Sequence, residues 1–231
     1  MTHGEICKHN DEVKKVLCSM FKNLFGDPFS DLDREHRPIP LKRIDDINYE
    51  VEWRTVDIEK DGHKVIHVDQ TRYGETVMIY RLHHNDYNES EDQSIHLRIK
   101  IVTSKGVKTP DSNAFLSFQH TNKSMRISDI KIKGERVSRG YGSILMTAIM
   151  LLVDQLQVRY ITGWISGVDW DHIDRSEHFY RKFGFDVELN PEAQSGKIIW
   201  VNHALGATRE AFERLKAEQE SLVDEERLFG P

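Results

Sequence analysis

The chain has 231 residues and a mass of 27.0 kDa, with 38 acidic side chains against 32 Lys and Arg and a formal net charge of −6. That length holds one large domain or a domain with extensions. A mean hydropathy of −0.58 argues against a bundle of membrane helices, and two cysteines cannot make a disulfide framework. The polar start, Met1 to Asp11, predicts no signal peptide, so a reducing, cytoplasmic setting is the expectation and a membrane is not. Cys7, Cys18, His3 and His9 match no zinc spacing, and no metal site is expected.

Along the chain, Asp11 to Phe25 carries a helical stripe of Val13, Val16, Leu17, Met20, Phe21 and Leu24, which Gly26 and Pro28 end. Pro38 and Pro40 mark a linker. Ile47, Tyr49, Val51 and Trp53 alternate with polar residues, which predicts a half-buried strand. Asp61-Gly62 signals a turn, and Lys64 to Val68 is expected to return as its partner strand. Thr76 to Leu82 is a further strand. His83 to Asp92 is polar and acidic and reads as an exposed loop, a possible meeting point for a cationic substrate. Ile95, Leu97, Ile99 and Ile101 alternate strongly, and Phe115 to Gln119 follows as a short strand.

Met125 to Lys133 has a fault in its alternation. Met125 and Ile127 share one face, whereas Ile130 and Ile132 fall on the other. One extra residue near Ser128-Asp129 repairs the phase, which is the signature of a β-bulge, although a strand with two mixed faces reads the same way. Then comes Ser138-Arg139-Gly140-Tyr141-Gly142-Ser143, leading into the apolar run Ile144 to Val153. Glycine lets a backbone approach a ligand closely, and a helix start presents unpaired N–H groups that attract phosphate. The apolar run is ten residues, well short of the ~20 that cross a bilayer. Val158 to Ile165 reads as the next strand. The order is that of a parallel β-α-β unit with its loop at the carboxyl end of the first strand, where ligands bind in open sheets.

Downstream, Asp174 and Glu177 have the spacing of a capping box, Gly184 suits a left-handed C-terminal residue, and Phe185 covers the last turn. Ile173, Tyr180 and Phe183 share one side of that short helix, with Phe179 beside them. Lys197 to Val201 is a last strand. Thr208 to Phe229 is a charged helix whose Phe212, Leu215, Leu222 and Phe229 form a seam, able to dock on the domain or to pair two subunits as a homodimer. From Leu97 to Arg139 there are ten Lys and Arg against three acids. This basic zone suits a cofactor with several phosphates, a nucleic acid, or simply a solvated face.

Arg139-Gly140-Tyr141-Gly142-Ser143 resembles the pyrophosphate loop of the GNAT superfamily of acetyl-CoA-dependent N-acyltransferases. Phe179 to Phe185 is similar to that family's helix-end signature, F-Y-x-K-x-G-F, and Ile127 to Ile132 to its bulged fourth strand. The resemblance spans about Ile95 to Asn202. Two positions depart from it: Val137 stands where the loop usually begins with Gln or Arg, and Ile173 where an Asn is common. The implied fold is α/β (α+β): a mixed, mostly antiparallel sheet with a central bulged strand and flanking helices, plus an N-terminal β-rich elaboration. The expected organisation is a helical extension and linker over 1–45, the β-rich elaboration over 46–94, the acyl-CoA-binding core over 95–202 and a C-terminal helix over 203–231.

The resemblance implies that acetyl-CoA is the acyl donor, held by Ile130, Lys131, Ile132, Val137, Ser138, Arg139, Gly140, Tyr141, Gly142 and Ser143. It also implies that Tyr180 donates a proton to the departing thiolate. The general base is open between Asp129 and His120. The expected reaction is N-acetylation of an amine by direct attack in a ternary complex. The alternative is a catalytically inactive acyl-CoA-binding module, or a nucleic-acid- or protein-binding module on the same fold.

Overall fold

A computed structural model of the chain describes residues 39–43, 46–86, 88, 90–110, 112–132 and 138–217. The expected helix over Asp11 to Phe25, both cysteines, Val137, Leu222 and Phe229 lie outside these residues. In chain order the elements are α1 (Ile47–Lys60), β1 (Lys64–Gln70), β2 (Thr76–Arg81), β3 (Gln93–Thr103), β4 (Gly106–Lys108), β5 (Asn113–Gln119), β6 (Ser124–Lys131), α2 (Tyr141–Gln155), β7 (Tyr160–Ile165), α3 (Ile173–Lys182), β8 (Asp186–Asn190) and β9 (Ser195–Val201). Helical turns over 209–217 follow.

One sheet runs through the molecule in the order β1-β2-β3-β5-β6-β7-β9-β8, with β4 paired to β3. Every pairing is antiparallel except β6 with β7. The sheet is thus the mixed, mostly antiparallel, GNAT-like one expected, and β1 and β2 extend it on the amino-terminal side. Its main core lies between the sheet and α2, where Ile95, Leu97 and Ile99 of β3 meet Leu145, Ile149 and Leu152. A second core, Ile58, Met78, Tyr80, Val102 and Val107, lies under α1 on the opposite face. β2 is buried at all six positions because helices cover both its faces, so it shows no polar alternation.

The strand expected over Ile47 to Trp53 is instead the first half of α1. Asp46 caps it, its Oδ1 accepting from Tyr49 N at 2.9 Å. The inward face carries Glu50, Arg54 and Ile58. Glu50 Oε1 accepts from Arg54 Nε at 2.8 Å, and its other oxygen from the Lys42 backbone at 2.7 Å. An ion pair occupies the positions where a helical apolar stripe is normally sought, so the period-two pattern dominates the sequence. Consequently β1 pairs with β2 rather than with a strand at 47–53.

The fault in β6 is a bulge. Phe115 faces Asp129 and Leu116 faces Ile127, which leaves Ser128 as the extra residue. The capping box at Asp174 does not form. A 3₁₀ segment, Gly167–His172, runs straight into α3, so the helix starts two residues early and Asp174 sits inside its first turn. Glu177 pairs instead with Arg181 at 2.9 Å. Gly184 has φ +80° and Phe185 N donates to the Tyr180 carbonyl at 3.2 Å, closing α3 as expected.

Candidate acyl-donor cleft

The bulge and the crossover together open the sheet. Pairing of β6 with β7 runs from Ser124–Tyr160 to Ile127–Gly163 and stops, whereas pairing of β6 with β5 continues to Asn113–Lys131. Beyond Ile127 the β7-facing edge of β6 is therefore free of that neighbour. A cleft of about 590 Å³ occupies the fork, lined by Ser128, Asp129, Ile130 and Ile132 on one side and by Trp164, Ile165, Ser166 and Asp169 on the other. Ser138 and Gly142 form one end, and Phe179 and Tyr180 of α3 form a wall.

Gly163 sits at the last shared rung. A Cβ there would lie 2.8 Å from Ile198 Cδ1 and 3.2 Å from the Ile127 carbonyl oxygen. Gly163→Ala is expected to overpack this point at a cost of about 1–3 kcal/mol. A thermal melt should show a Tm lower by about 2–12 °C for a chain of this size; an unchanged Tm would show that the rung tolerates a side chain.

The glycine loop has the geometry that glycine was expected to permit. Gly140 caps α2 with φ +99°, and Ser138 also has positive φ, +65°. Ser138, Arg139 and Gly140 are exposed, whereas Tyr141 is buried. The Tyr141 hydroxyl donates to Glu75 at 2.6 Å, and burial, then that carboxylate, push its pKa up to about 12. Its role is to anchor the loop. Ser143 Oγ accepts from Lys182 Nζ at 3.2 Å, tying the start of α2 to the end of α3. At Gly142 an added Cβ would meet the Phe179 ring at 3.4 Å and Ile132 at 3.9 Å, so the missing side chain leaves a backbone cradle facing the cleft.

Tyr180 is packed at 5.3 Å from the Phe179 ring and 5.6 Å from the Phe185 ring. Burial raises its pKa to about 12, and the Asp169 and Asp129 carboxylates push the same way. It stays protonated at neutral pH and is available as a donor. Asp129 lines the cleft from the bulge. His120 is elsewhere. It lies in the β5–β6 turn, where its backbone N donates to Asp92 at 2.6 Å and its Nδ1 contacts Lys123 Nζ at 3.0 Å. That turn is at the amino end of β6, roughly 17 Å from the bulge at the rise of a strand. His120 therefore stands at the other end of β6 from the cleft. Lys131 is half-buried beside the two cleft-lining isoleucines.

Sequence reasoning missed Asp169, Ser166, Arg175 and Ser176, which enter the cleft from the segment after β7 and the start of α3. Their one available signal was position, at the carboxyl end of a strand beside a parallel neighbour. Lys100 is partly buried on the α1 face, where burial and then the nearby Arg54 charge lower its pKa, while Lys123 lies in the β5–β6 turn. Among the described residues the basic zone from Leu97 to Arg139 is therefore divided between sites.

A second groove, about 680 Å³, lies on the other face of the sheet beneath residues 209–217. Arg126, Trp164 and Ile198 line both cavities. Phe212 docks there with its ring 5.3 Å from that of Tyr160, so the first part of the C-terminal seam packs on its own domain. Among the described residues no group of three or more His, Cys, Asp or Glu is arranged to hold a metal, and no helix is long and apolar enough to cross a membrane.

The fold and cleft together define a GNAT-like α/β domain whose sheet forks around a ligand-sized space. No family model matches the chain. The uncharacterized protein YocC of Bacillus subtilis (strain 168) is 28% identical over 154 residues, spanning 67% of this chain and 86% of that protein. Among solved structures, the GNAT domain of S. lividans PAT is similar at 9% identity and a TM-score of 0.43, over 59% of this chain and 96% of the domain. The PaiA N-acetyltransferase from Thermoplasma acidophilum, in complex with coenzyme A, is similar at 12% identity and a TM-score of 0.34, over 46% of this chain and 61% of that one.

Proposed function

We propose that this chain is an acyl-CoA-dependent N-acyltransferase that moves an acetyl group to an amine. The observation that carries the reading is the fork itself. A strand edge freed at a bulge, a helix start presenting bare amides at its far end, and a half-buried phenol on its wall converge on one cleft. The residues fit an acyl-CoA. The exposed edge at Ile130 to Ile132 suits an amide-bearing arm that adds like a strand, and the cradle at Gly142 suits a diphosphate.

Acetyl-CoA supplies an acyl group already activated as a thioester. The chain's part is to bind, orient and manage protons. Amides of residues 138–143 hold the diphosphate. In this reading a backbone N–H at the bulge, near Ser128 and Asp129, stabilises charge on the carbonyl oxygen. An alkyl amine with a pKa of ~10.4 must shed a proton to attack. Asp129 is the base in this reading, acting directly or through water. Tyr180 provides the hydrogen bond to the departing sulfur. The groove on the opposite face meets the cleft at Arg126, Trp164 and Ile198 and gives the amine a separate route in.

Release of free thiol from acetyl-CoA, followed over a panel of small and peptide amines, tests the proposal. Amine-dependent release is expected. Binding of coenzyme A without release for any amine would instead make the chain a non-catalytic acyl-CoA module, and absence of binding would end the reading. Retention on DNA or RNA that disappears at moderate salt would mark any nucleic-acid affinity as electrostatic only.

A further inference from the structure

The turn between β1 and β2 is bonded to the glycine loop from 66 residues away in sequence. Arg72 Nη2 donates to the Ser138 carbonyl at 3.2 Å and to the Tyr73 hydroxyl at 2.8 Å. Glu75 accepts from Tyr141 at 2.6 Å and from Arg139 at 3.2 Å. The turn is itself well braced. Thr71 N donates to the Glu75 carbonyl at 2.9 Å, the Thr71 hydroxyl accepts from Tyr73 N and Glu75 N, and Gly74 takes φ +75°.

Buttressing the loop requires Arg72 and Glu75. The Tyr73 hydroxyl steadies Arg72, but the face of its ring is not part of that buttress. Tyr73 is 55% exposed, and its ring centroid lies 4.9 Å from the Arg72 guanidinium and 5.3 Å from that of Arg139. A rigidly mounted aromatic face, rimmed by two cations, adjoins the loop that would hold a diphosphate. The Glu75 carboxylate is already engaged by Tyr141 and Arg139, which offsets its repulsion of an anion. Aromatic faces stack on purines, and guanidinium forks match phosphate oxygens.

Building on the acyl-CoA reading of the cleft, we propose that the 71–75 turn binds the nucleotide end of the donor. Tyr73 stacks on its purine, and Arg72 with Arg139 takes its 3′-phosphate. The β1–β2 hairpin would then be a dedicated part of the donor site.

Calorimetric titration of the full chain with coenzyme A, dephospho-coenzyme A and 4′-phosphopantetheine tests this. The wild type should bind them in that order of decreasing affinity. Tyr73→Ala should weaken both nucleotide ligands about five- to tenfold, toward the low end of a base–aromatic stack, and leave 4′-phosphopantetheine unchanged. Tyr73→Phe, which keeps the ring, should bind like the wild type. Arg72→Ala should shrink the preference for coenzyme A over its dephospho form. Equal losses for all three ligands would reduce the turn to a buttress and overturn the proposal, as would no loss for any. A wild type that binds all three ligands alike would refute the nucleotide assignment and leave the cleft reading standing. A wild type that binds none would remove both.

Discussion

Gly142→Glu should abolish coenzyme A binding, with affinity lowered by at least about 100-fold, and leave the fold intact. Gly142 lies in the first turn of α2 and lines the cleft, with its open side toward Phe179 and Ile132. A glutamate there fills the cradle with bulk and sets a negative charge where a diphosphate would sit, at the end of a helix that carries about half a positive charge. The same charge is favourable to the helix, since acids in a first turn complement the dipole by about 0.3–1 kcal/mol. Binding should therefore collapse while the Tm holds or rises. Gly142→Ala separates charge from shape. Its Cβ would make an ordinary 3.4 Å contact with the Phe179 ring, so affinity should stay within a few-fold of the wild type. Calorimetry beside a thermal melt reads both. If the glutamate variant binds normally, the diphosphate does not lie at this helix start.

The extent to which this site was legible in the sequence differs element by element. The bulge showed itself because one residue changes the phase of a period-two pattern, and Ser128 is that residue. The glycine loop and α2 were legible because the helix is apolar on nearly every side and Gly140 punctuates it. Helix α1 was hidden because Glu50 and Arg54 satisfy each other in its interior face, and a hydrophobicity pattern cannot register a buried ion pair. β8 was missed because only Val187 and Leu189 mark its inner side in five residues. His120 was chosen for its chemistry, and the topology sends it to the wrong end of β6. Arg72, Tyr73 and Glu75 gave no local signal, since their partners lie 64 to 66 residues away. The general lesson is physical. Periodicity reports what a segment does against the core, whereas a site is assembled by contacts across the sheet that no local window contains.

Tyr180→Phe is the sharper test of chemistry. The variant keeps the ring, hence the packing on Phe179 and Phe185, and loses only the hydroxyl. Coenzyme A affinity and Tm should therefore stay near wild-type values, while kcat falls by about 10²-fold, the lower range for a positioned proton donor. The pKa bears on the form of the effect. Burial, with Asp169 and Asp129 adding to it, pushes the phenol up to about 12. A departing alkyl thiolate has a conjugate acid near ~8.5, so full transfer from the phenol is uphill by several units. In the proposed mechanism the hydroxyl thus serves as a permanently protonated hydrogen-bond donor to sulfur as negative charge builds there, and the proton shed by the amine completes the balance. The active, protonated form of a group with a raised pKa persists at all pH values below about 12, so the wild-type rate should climb as the amine deprotonates and show no tyrosine-linked fall up to about pH 11. The phenylalanine variant should give the same rising profile, displaced downward. A descending limb near pH 10 in the wild type that Tyr180→Phe removes would mean that the phenol ionises in solution and is not held in the buried environment the cleft requires. An undiminished kcat in the variant would take the proton-donor role away from α3 altogether and shift the search to Ser176 and Ser166, the other hydroxyl groups on the α3 and β7 side of the cleft.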